Sequence, residues 1–268
     1  MKALIRNTFI AISISVTSFG TIADDEIGTT LITGANRGIG LEFTKQYLEL
    51  GWTVIATARK PEKAEDLKQL EIQYPDLLSI HQLDVTDHQR IDALAKELEG
   101  QAIDLLLNNA GISGYIPDQI FGRLDYDSFE QVLAVNTVAP LKMAEAFYPH
   151  VKNSNLKKIV SVSSSEGSIG GAYEDESGRM YFYRSSKSAL NMVMVNLAFQ
   201  LKDRGISVGL VNPGPTDTDF MRGIPFPLRS TEEAVEDMIE NINDIDLCLL
   251  YTSPSPRDQR GSRMPSSA

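Results

Sequence analysis

Cysteine and histidine are scarce in this sequence, and their scarcity excludes two common ways of stabilising a fold. The 268 residues include one cysteine, Cys248, so the chain has no partner for an internal disulfide. The three histidines, His81, His88 and His150, are scattered without the spacing of a zinc site. We therefore expect no structural metal, and a fold that depends on its own hydrophobic core.

Basic residues are also in short supply. Lysine and arginine total 25 against 36 aspartates and glutamates, which gives a formal net charge of -11 and a pI near 4.8. A surface of this sign repels a phosphate backbone, so we expect no nucleic-acid partner. The 42% hydrophobic content suffices for one sizeable core, and the length fits one domain rather than two. The sequence leaves room for a homo-oligomer.

Long apolar runs are missing as well, and the nearest approach to one lies at the N-terminus. The stretch from Phe9 to Phe19 is short and diluted by serines, so it does not predict a membrane span. Lys2 and Arg6 precede it, and small residues ending at Ala23 precede an acidic segment. This order predicts a secretory signal peptide over residues 1–23. An N-terminal extension or a misplaced start codon is the alternative.

The C-terminal segment changes composition abruptly. From Cys248 the chain reads CLLYTSPSPRD and then QRGSRMPSSA, which is rich in serine, proline and arginine. The first part resembles one translated frame of an adapter used in sequencing libraries. The alternative is a disordered terminus that belongs to the protein. We expect residues 248–268 to be non-native, and the folded domain to occupy residues 24–247.

Between the two termini, short runs rich in β-branched residues alternate with longer helical patterns. This alternation predicts an α/β fold with a single doubly wound parallel sheet, covered by helices on both faces. The predicted strands are Thr29 to Thr33, Trp52 to Thr57, Leu77 to Val85, Ile103 to Leu107, Lys158 to Val162 and Ile206 to Val211. The predicted helices include Ala64 to Ile72, His88 to Leu98, Ser128 to Val151, Tyr183 to Lys202 and Thr231 to Asn243.

A glycine-rich loop follows the first predicted strand. It reads Gly34-Ala35-Asn36-Arg37-Gly38-Ile39-Gly40, with a helix predicted to open at Gly38. Glycines allow the backbone to turn sharply beside a pyrophosphate, and the helix N-terminus stabilises the phosphate charge. A glycine loop alone is weak support, but its position between a strand and a helix favours a dinucleotide site.

The end of the second strand distinguishes between the two nicotinamide cofactors. An acidic residue there would accept hydrogen bonds from the ribose hydroxyls and repel a 2′-phosphate. The strand instead ends in Ala58-Arg59. Arg59 and Arg37 can both pair with a phosphate, so we expect NADP(H) in preference to NAD(H). Two solvated arginines without a ligand are the alternative.

A tyrosine and a lysine four residues apart lie on the long helix after the fifth strand. Tyr183 and Lys187 share one helix face, about 6 Å apart at Cβ. A nearby ammonium, aided by oxidised nicotinamide, is expected to lower the pKa of the phenol and make it a usable acid or base. An ordinary amphipathic helix carrying both residues is the alternative.

In their order along the chain, these motifs resemble the short-chain dehydrogenase/reductase family. The resemblance covers roughly Gly28 to Ile245. YRSSKSALNM and the GSIG after Ser164 are similar to the C-factor and sniffer type of carbonyl reductase. The family's last strand should follow Ile245, and we expect it to be missing from this chain.

The resemblance implies four catalytic residues. Aligning the family's SSxxG pattern on Gly167 selects Ser164 to bind the substrate oxygen, with Ser165 as the second choice. Tyr183 is the acid or base, with Tyr181 as a remote alternative. The resemblance implies that Lys187 binds the nicotinamide ribose. It implies that Asn136 holds a water molecule that links Lys187 to solvent.

The resemblance also places further residues beside the cofactor. Asp84 lies next to the adenine, and Thr218 lies at the carboxamide of the nicotinamide. The full predicted cofactor set is Gly34, Asn36, Arg37, Gly38, Ile39, Gly40, Arg59, Asp84, Val85, Asn108, Asn109, Ala110, Gly111, Tyr183, Lys187, Pro213, Gly214, Thr216 and Thr218.

Together these residues predict hydride transfer between NADP(H) and a small-molecule carbonyl or alcohol. Two other functions stay open at this point. One is a nucleotide-sensing or partner-binding protein without turnover, against which the intact Ser, Tyr and Lys argue. The other is a sugar-nucleotide epimerase, which would be a longer chain with a different glycine loop. An acidic insert, Gly170 to Arg179, is either a solvated loop or part of the substrate entrance.

If the N-terminal prediction is right, the expressed protein begins at Asp24 and is found in a periplasmic fraction. The reason is that a signal peptidase cleaves after small residues such as those ending at Ala23. N-terminal sequencing of fractionated cells measures this. An intact Met1 in a cytoplasmic fraction would contradict the prediction.

Overall fold

A computed structural model of the protein describes residues 27–174, 176, 178–221 and 227–246. The predicted signal peptide and the predicted non-native segment lie outside the described residues, as does Asp175 of the acidic insert. Within those ranges the strands are β1 (Thr29–Ile32), β2 (Thr53–Ala58), β3 (Leu78–Gln82), β4 (Leu105–Asn108), β5 (Lys158–Val162) and β6 (Ser207–Val211). The helices are α1 (Gly38–Glu49), α2 (Glu65–Gln73), α3 (His88–Glu97), α4 (Tyr126–Leu133), α5 (Ala139–Lys152), α6 (Ile169–Glu174), α7 (Tyr181–Leu201) and α8 (Thr231–Asn243).

The strands form one parallel sheet in the order β3-β2-β1-β4-β5-β6. All neighbouring pairs are parallel, so every strand ends at the same edge of the sheet. The strand order reverses between β1 and β4, and this switch point is where doubly wound sheets bind ligands. The predicted fold class is confirmed.

Two hydrophobic layers cover the sheet. On one face α3, α5 and α7 pack against it, with fully buried side chains such as Phe147 and Leu190. On the other face α1, α2 and α8 contribute residues such as Phe43 and Met238. Because both faces are covered, the central strands are buried at almost every position rather than at alternate ones.

The amino edge of the sheet is held by a buried aspartate. One carboxylate oxygen of Asp104 accepts a hydrogen bond from the backbone N–H of Thr29 at 2.9 Å. The other accepts from the N–H groups of Asn155 and Leu156 at 3.0 and 3.2 Å. One side chain therefore joins the starts of β1, β4 and β5, because it satisfies amides that the strand ladder leaves unpaired.

Three elements differ from the sequence prediction. Strand β3 ends at Gln82 instead of Val85, because the carboxylate of Asp84 accepts from the N–H and hydroxyl of Thr86 and turns the chain. The predicted helix from Ser128 to Val151 is interrupted by a π-helical turn, Ala134–Val138. The insert before Tyr183 contains a short helix, α6, where a loop was expected.

Strand β6 forms one outer edge of the sheet, where the strand predicted to be missing would pair. Within the described ranges β6 has a neighbour on one side only, β5. Any strand after residue 246 lies outside the described residues, so the prediction stays open. Among the helices that the structure describes, none is long and apolar enough to cross a bilayer.

Candidate active site

Tyr183 and Lys187 lie in the first turns of α7. The side chains are buried, with Tyr183 8% and Lys187 5% exposed. The ammonium nitrogen of Lys187 lies 5.8 Å from the ring centroid of Tyr183 and donates to the carbonyl of Val162, at the end of β5, at 2.8 Å. The structure thus brings the two residues together at the carboxyl edge of the sheet.

The segment after β5, which we call the serine turn (residues 163–167), offers three hydroxyl groups. The hydroxyl of Ser163 donates to Asn191 at 2.6 Å, and Ser165 points to solvent. Ser164 shares a hydrogen bond with the phenol of Tyr183. Its oxygen also accepts from the N–H of Glu166 at 3.2 Å. Ser164 is therefore the serine that meets Tyr183, whereas Tyr181 is 39% exposed.

A close approach of the serine turn to α7 sets the distance between these groups. A Cβ on Gly167 would lie 2.9 Å from the backbone carbonyl carbon and the Cβ of Lys187. The carbonyl of Gly167 accepts from the hydroxyl of Ser188 at 2.9 Å. Only glycine allows the serine turn to lie this close to the helix, so Gly167 brings Ser164 within reach of Tyr183.

Asn136 lies fully buried in the π-helical turn between α4 and α5. Its amide nitrogen donates to the carbonyl of Ile112 and to the hydroxyl of Ser186, and its oxygen accepts from the N–H of Ile112. Ser186 belongs to α7, so Asn136 connects the chain after β4 to the helix of Tyr183. The π turn widens the helix at this point, a distortion often found at functional sites.

Burial dominates the electrostatics of the pair. Burial raises the pKa of Tyr183 to about 12, the hydrogen bond with Ser164 opposes the increase, and the charge of Glu166 adds to it. Burial also lowers the pKa of Lys187 to about 8. In this geometry burial outweighs any lowering of the pKa of Tyr183 by Lys187, and the lowering expected with oxidised nicotinamide stays a prediction. The ammonium is directed at the carbonyl of Val162, and desolvation of the phenolate has the larger effect.

The glycine-rich loop turns between β1 and α1 as predicted, and α1 begins at Gly38. Its N-cap, Arg37, makes no side-chain capping bond, and the first turn carries no acidic residue. The first amides of α1 therefore face an anion site. A Cβ on Gly40 would collide with the carbonyl of Gly34 and the amide of Asn109, so this position also requires glycine.

The remaining predicted cofactor residues line the same edge of the sheet. Asn109 donates to the carbonyls of Thr33 and Gly34 and fixes the end of β1. Thr218 lies beside the start of α1, since a Cβ on Gly38 would be 3.5 Å from its methyl group. The others follow the ends of their strands or open α1: Asn36, Ile39, Asp84, Val85, Asn108, Ala110, Gly111, Pro213, Gly214 and Thr216.

The two arginines predicted to bind a phosphate differ in their surroundings. Arg59 is exposed at the end of β2. Arg37 forms an ion pair with Asp219 at 3.0 Å, and both side chains are more than half exposed. Because exposed ion pairs contribute little free energy, a phosphate can replace the carboxylate at Arg37.

The sequence analysis missed three polar residues of the site. Gln119 is buried, and its side chain accepts from the N–H of Phe182 at 2.9 Å and donates to the carbonyl of Ser113 at 2.8 Å. It caps the amino end of α7 from a loop 63 residues earlier. Glu166 and Arg184 form an ion pair beside Tyr183. Single residues in loops produce no periodic signal, so only the fold shows these contacts.

Metal-ligating side chains are not clustered in the described part of the chain. Among those residues, no group of three or more histidine, cysteine, aspartate or glutamate side chains could hold a metal ion. The polar groups close to Tyr183 include hydroxyls, the buried ammonium of Lys187 and the ion pair of Glu166 with Arg184, and such groups suit a proton-transfer step.

Comparison with known proteins agrees with the resemblance to short-chain dehydrogenases. Residues 28–225 match the family model described as short chain dehydrogenase. A relative from Rhodococcus sp. (strain AD45), 1-hydroxy-2-glutathionyl-2-methyl-3-butene dehydrogenase, is 32% identical over 223 residues, which cover 82% of this chain and 92% of the relative.

Solved structures extend the similarity to the fold. The NADPH-bound carbonyl reductase from chicken fatty liver matches with a TM-score of 0.76 and 31% identity, covering 84% of this chain and 96% of that chain. The carbonyl reductase Sniffer of D. melanogaster matches with a TM-score of 0.74 and 28% identity over 84% of this chain and 96% of that chain.

The close approach at Gly167 predicts that Gly167→Ala destabilises the protein by about 1–3 kcal/mol, because the added methyl group overpacks the backbone of α7. Chemical denaturation measures the loss. Gly178→Ala is the matched control, since a Cβ there meets nothing within 4 Å, and its stability should stay within about 1 kcal/mol of the unmodified protein. Equal stability of all three proteins would show that the serine turn can move away freely.

Proposed function

The chain belongs to the short-chain dehydrogenase/reductase family, and we propose that it is an NADP(H)-dependent carbonyl reductase in which Tyr183 transfers the proton. Membership makes it an oxidoreductase that transfers hydride. The observation that carries the finer proposal is the hydrogen bond between Tyr183 and Ser164, with Lys187 one helical turn further along α7.

Reduction needs an acid that gives up a proton as negative charge develops on the substrate oxygen. Tyr183, with a pKa raised by burial to about 12, is protonated at neutral pH and can donate. Ser164 donates a second hydrogen bond to the same oxygen and polarises the carbonyl. Bound NADPH supplies the hydride to the carbonyl carbon. As the new C–H bond forms, the C=O π electrons move to oxygen, which takes the proton of Tyr183.

Lys187 prepares both the proton donor and the cofactor. Its ammonium, beside the phenol, stabilises the phenolate that remains after proton donation. With its pKa lowered by burial to about 8, a substantial fraction of this side chain is neutral just above neutral pH. When the cofactor is bound, Lys187 would exchange its hydrogen bond with the carbonyl of Val162 for hydrogen bonds with the ribose hydroxyls. These polar hydroxyls would favour the charged form of Lys187.

NADP(H) fits the nucleotide end of the site. The glycine at position 40 and the open amides of α1 leave room for the pyrophosphate. Arg59 directly follows β2, where the family binds the adenosine ribose, and Arg37 lies in the glycine-rich loop, whose Ala35 donates to the carbonyl of Thr57 in β2. Neither the last residue of β2 nor the next one is acidic, and a 2′-phosphate would replace the exposed carboxylate of Asp219 as the partner of Arg37. The NADPH-bound chicken carbonyl reductase, 31% identical, supports the same choice.

The role of Tyr183 predicts that Tyr183→Phe lowers kcat for carbonyl reduction by about 100-fold or more, since a positioned general acid contributes at least that much. NADPH binding should stay near that of the unmodified enzyme, because the ring is retained. NADPH oxidation against a panel of aldehydes and ketones, with NADPH titration by fluorescence, measures both quantities. Tyr181→Phe is the control and should keep its activity. Substantial turnover by Tyr183→Phe would remove Tyr183 from the mechanism.

The role of the arginines predicts a change of cofactor. In a variant combining Arg37→Ala with Arg59→Asp, kcat/KM for NADPH should fall by about tenfold or more, since charge-assisted hydrogen bonds to the phosphate are lost and a repulsive charge is added. The value for NADH should be unchanged or higher. Lys202→Asp, which changes an exposed cation at the far end of α7, is the control. An unchanged preference would show that other residues hold the phosphate.

A further inference from the structure

Glu166, in the serine turn, makes contacts on both sides of Tyr183. One carboxylate oxygen lies 3.0 Å from the guanidinium of Arg179, and the other lies 3.2 Å from Nε of Arg184. Its backbone N–H donates to the hydroxyl of Ser164. The same residue therefore contacts Ser164 through its backbone and the region of Tyr183 through its side chain.

The two arginines that pair with Glu166 lie close to Tyr183 in the sequence, one before α7 and one within it. Arg184 follows Tyr183 directly in α7, and its side chain is only 11% exposed. Arg179 precedes α7 by one residue, Met180, whose backbone is left-handed (φ 52°) and supplies no side-chain cap. Glu166 thus adds two ion pairs at the amino end of α7, next to the cap that Gln119 supplies.

The charges around the phenol of Tyr183 come from few groups. Glu166 faces it from the serine turn, Lys187 from its own helix, and Arg184 and Arg179 act through their pairing with Glu166. The π-helical turn contributes Asn136, which is uncharged. The carboxylate of Glu166 raises the pKa of Tyr183 beyond the effect of burial, so within the described part of the chain this carboxylate is a negative charge that acts on the phenol.

We propose that Glu166 is a positioning residue for proton transfer, which holds Ser164 in line with Tyr183 and sets the electrostatic potential at the phenol through its pairing with Arg179 and Arg184. This inference rests on the proposed function, because it assigns Glu166 a role only if Tyr183 exchanges the proton. A carboxylate that served only to hold the turn would leave the titration of Tyr183 unaffected.

Alcohol oxidation with NADP⁺ reports this titration, since Tyr183 must then be deprotonated and the rate rises with pH through its pKa. The positive charge of bound oxidised nicotinamide would lower this pKa from the value of about 12 that burial gives, toward a measurable range. The sign of the shift follows from the charges. Glu166→Gln removes the negative charge and with it the ion pairs to the two arginines, so the phenolate is stabilised. The midpoint of the rising limb of kcat/KM should move to lower pH by roughly half a unit to one unit, whatever happens to the maximal rate.

Arg179→Gln is the complementary variant, since its side chain is 57% exposed and its loss should not prevent folding. It leaves the charge of Glu166 less compensated, so the midpoint should move to higher pH. Glu236→Gln, at an exposed position of α8, is the matched control and should leave the profile unchanged. Opposite shifts in the two variants support the inference.

Two outcomes would overturn the inference, and they are distinguishable. If the midpoints of Glu166→Gln and Arg179→Gln equal that of the unmodified enzyme while Tyr183→Phe is inactive, Glu166 is only structural and the proposed function stands. If Tyr183→Phe retains full turnover, the proposed function fails and this inference fails with it.

Discussion

The site depends on the close packing of α7 against the end of β5. Gly167 lets the serine turn approach the backbone of Lys187, and the hydroxyls of Ser163 and Ser188 fix this approach by hydrogen bonds across the contact. Since Tyr183 and Lys187 belong to the helix and Ser164 to the turn, their mutual distances follow from this one contact. A larger residue at position 167 would separate the proton donor from the serine.

The packing of α7 against the end of β5 also buries Tyr183 and Lys187, and burial changes their pKa values. Tyr183 and Lys187 lose most of their water, so burial shifts both groups toward their neutral forms, raising the pKa of the phenol and lowering that of the ammonium. A protonated tyrosine next to a serine hydroxyl suits proton donation to a carbonyl oxygen. In the proposed mechanism the protonated phenol serves reduction, and oxidation requires that the surrounding charges stabilise the phenolate.

The parallel sheet explains why residues so distant in sequence share one site. All described strands end at the same edge, and the loops after β1, β4, β5 and β6 converge there. Asn109 ties the loop after β4 to the end of β1, and Asn136 ties the chain after β4 to α7. The nucleotide end and the proton-transfer end are thereby held in one rigid frame, which preorganises the reacting groups.

The sequence by itself determined the fold class, the six described strands and the pairing of Tyr183 with Lys187. These features are carried by local periodicity, by strand and turn composition and by a four-residue helix spacing, which need no knowledge of distant contacts. The resemblance to the family's SSxxG pattern, aligned on Gly167, also favoured Ser164 over Ser165.

Only the tertiary structure decided how burial changes the pKa of Tyr183, because desolvation depends on which distant elements cover a side chain. The same holds for Gln119, which caps a helix that begins more than sixty residues later, and for Glu166, whose arginine partners are joined to it only through folding. The Asx turn at Asp84 and the π turn at Asn136 moved element boundaries for a related reason. At each of these positions one side chain forms hydrogen bonds that end or distort the helix or strand. The periodicity of the sequence does not predict such hydrogen bonds.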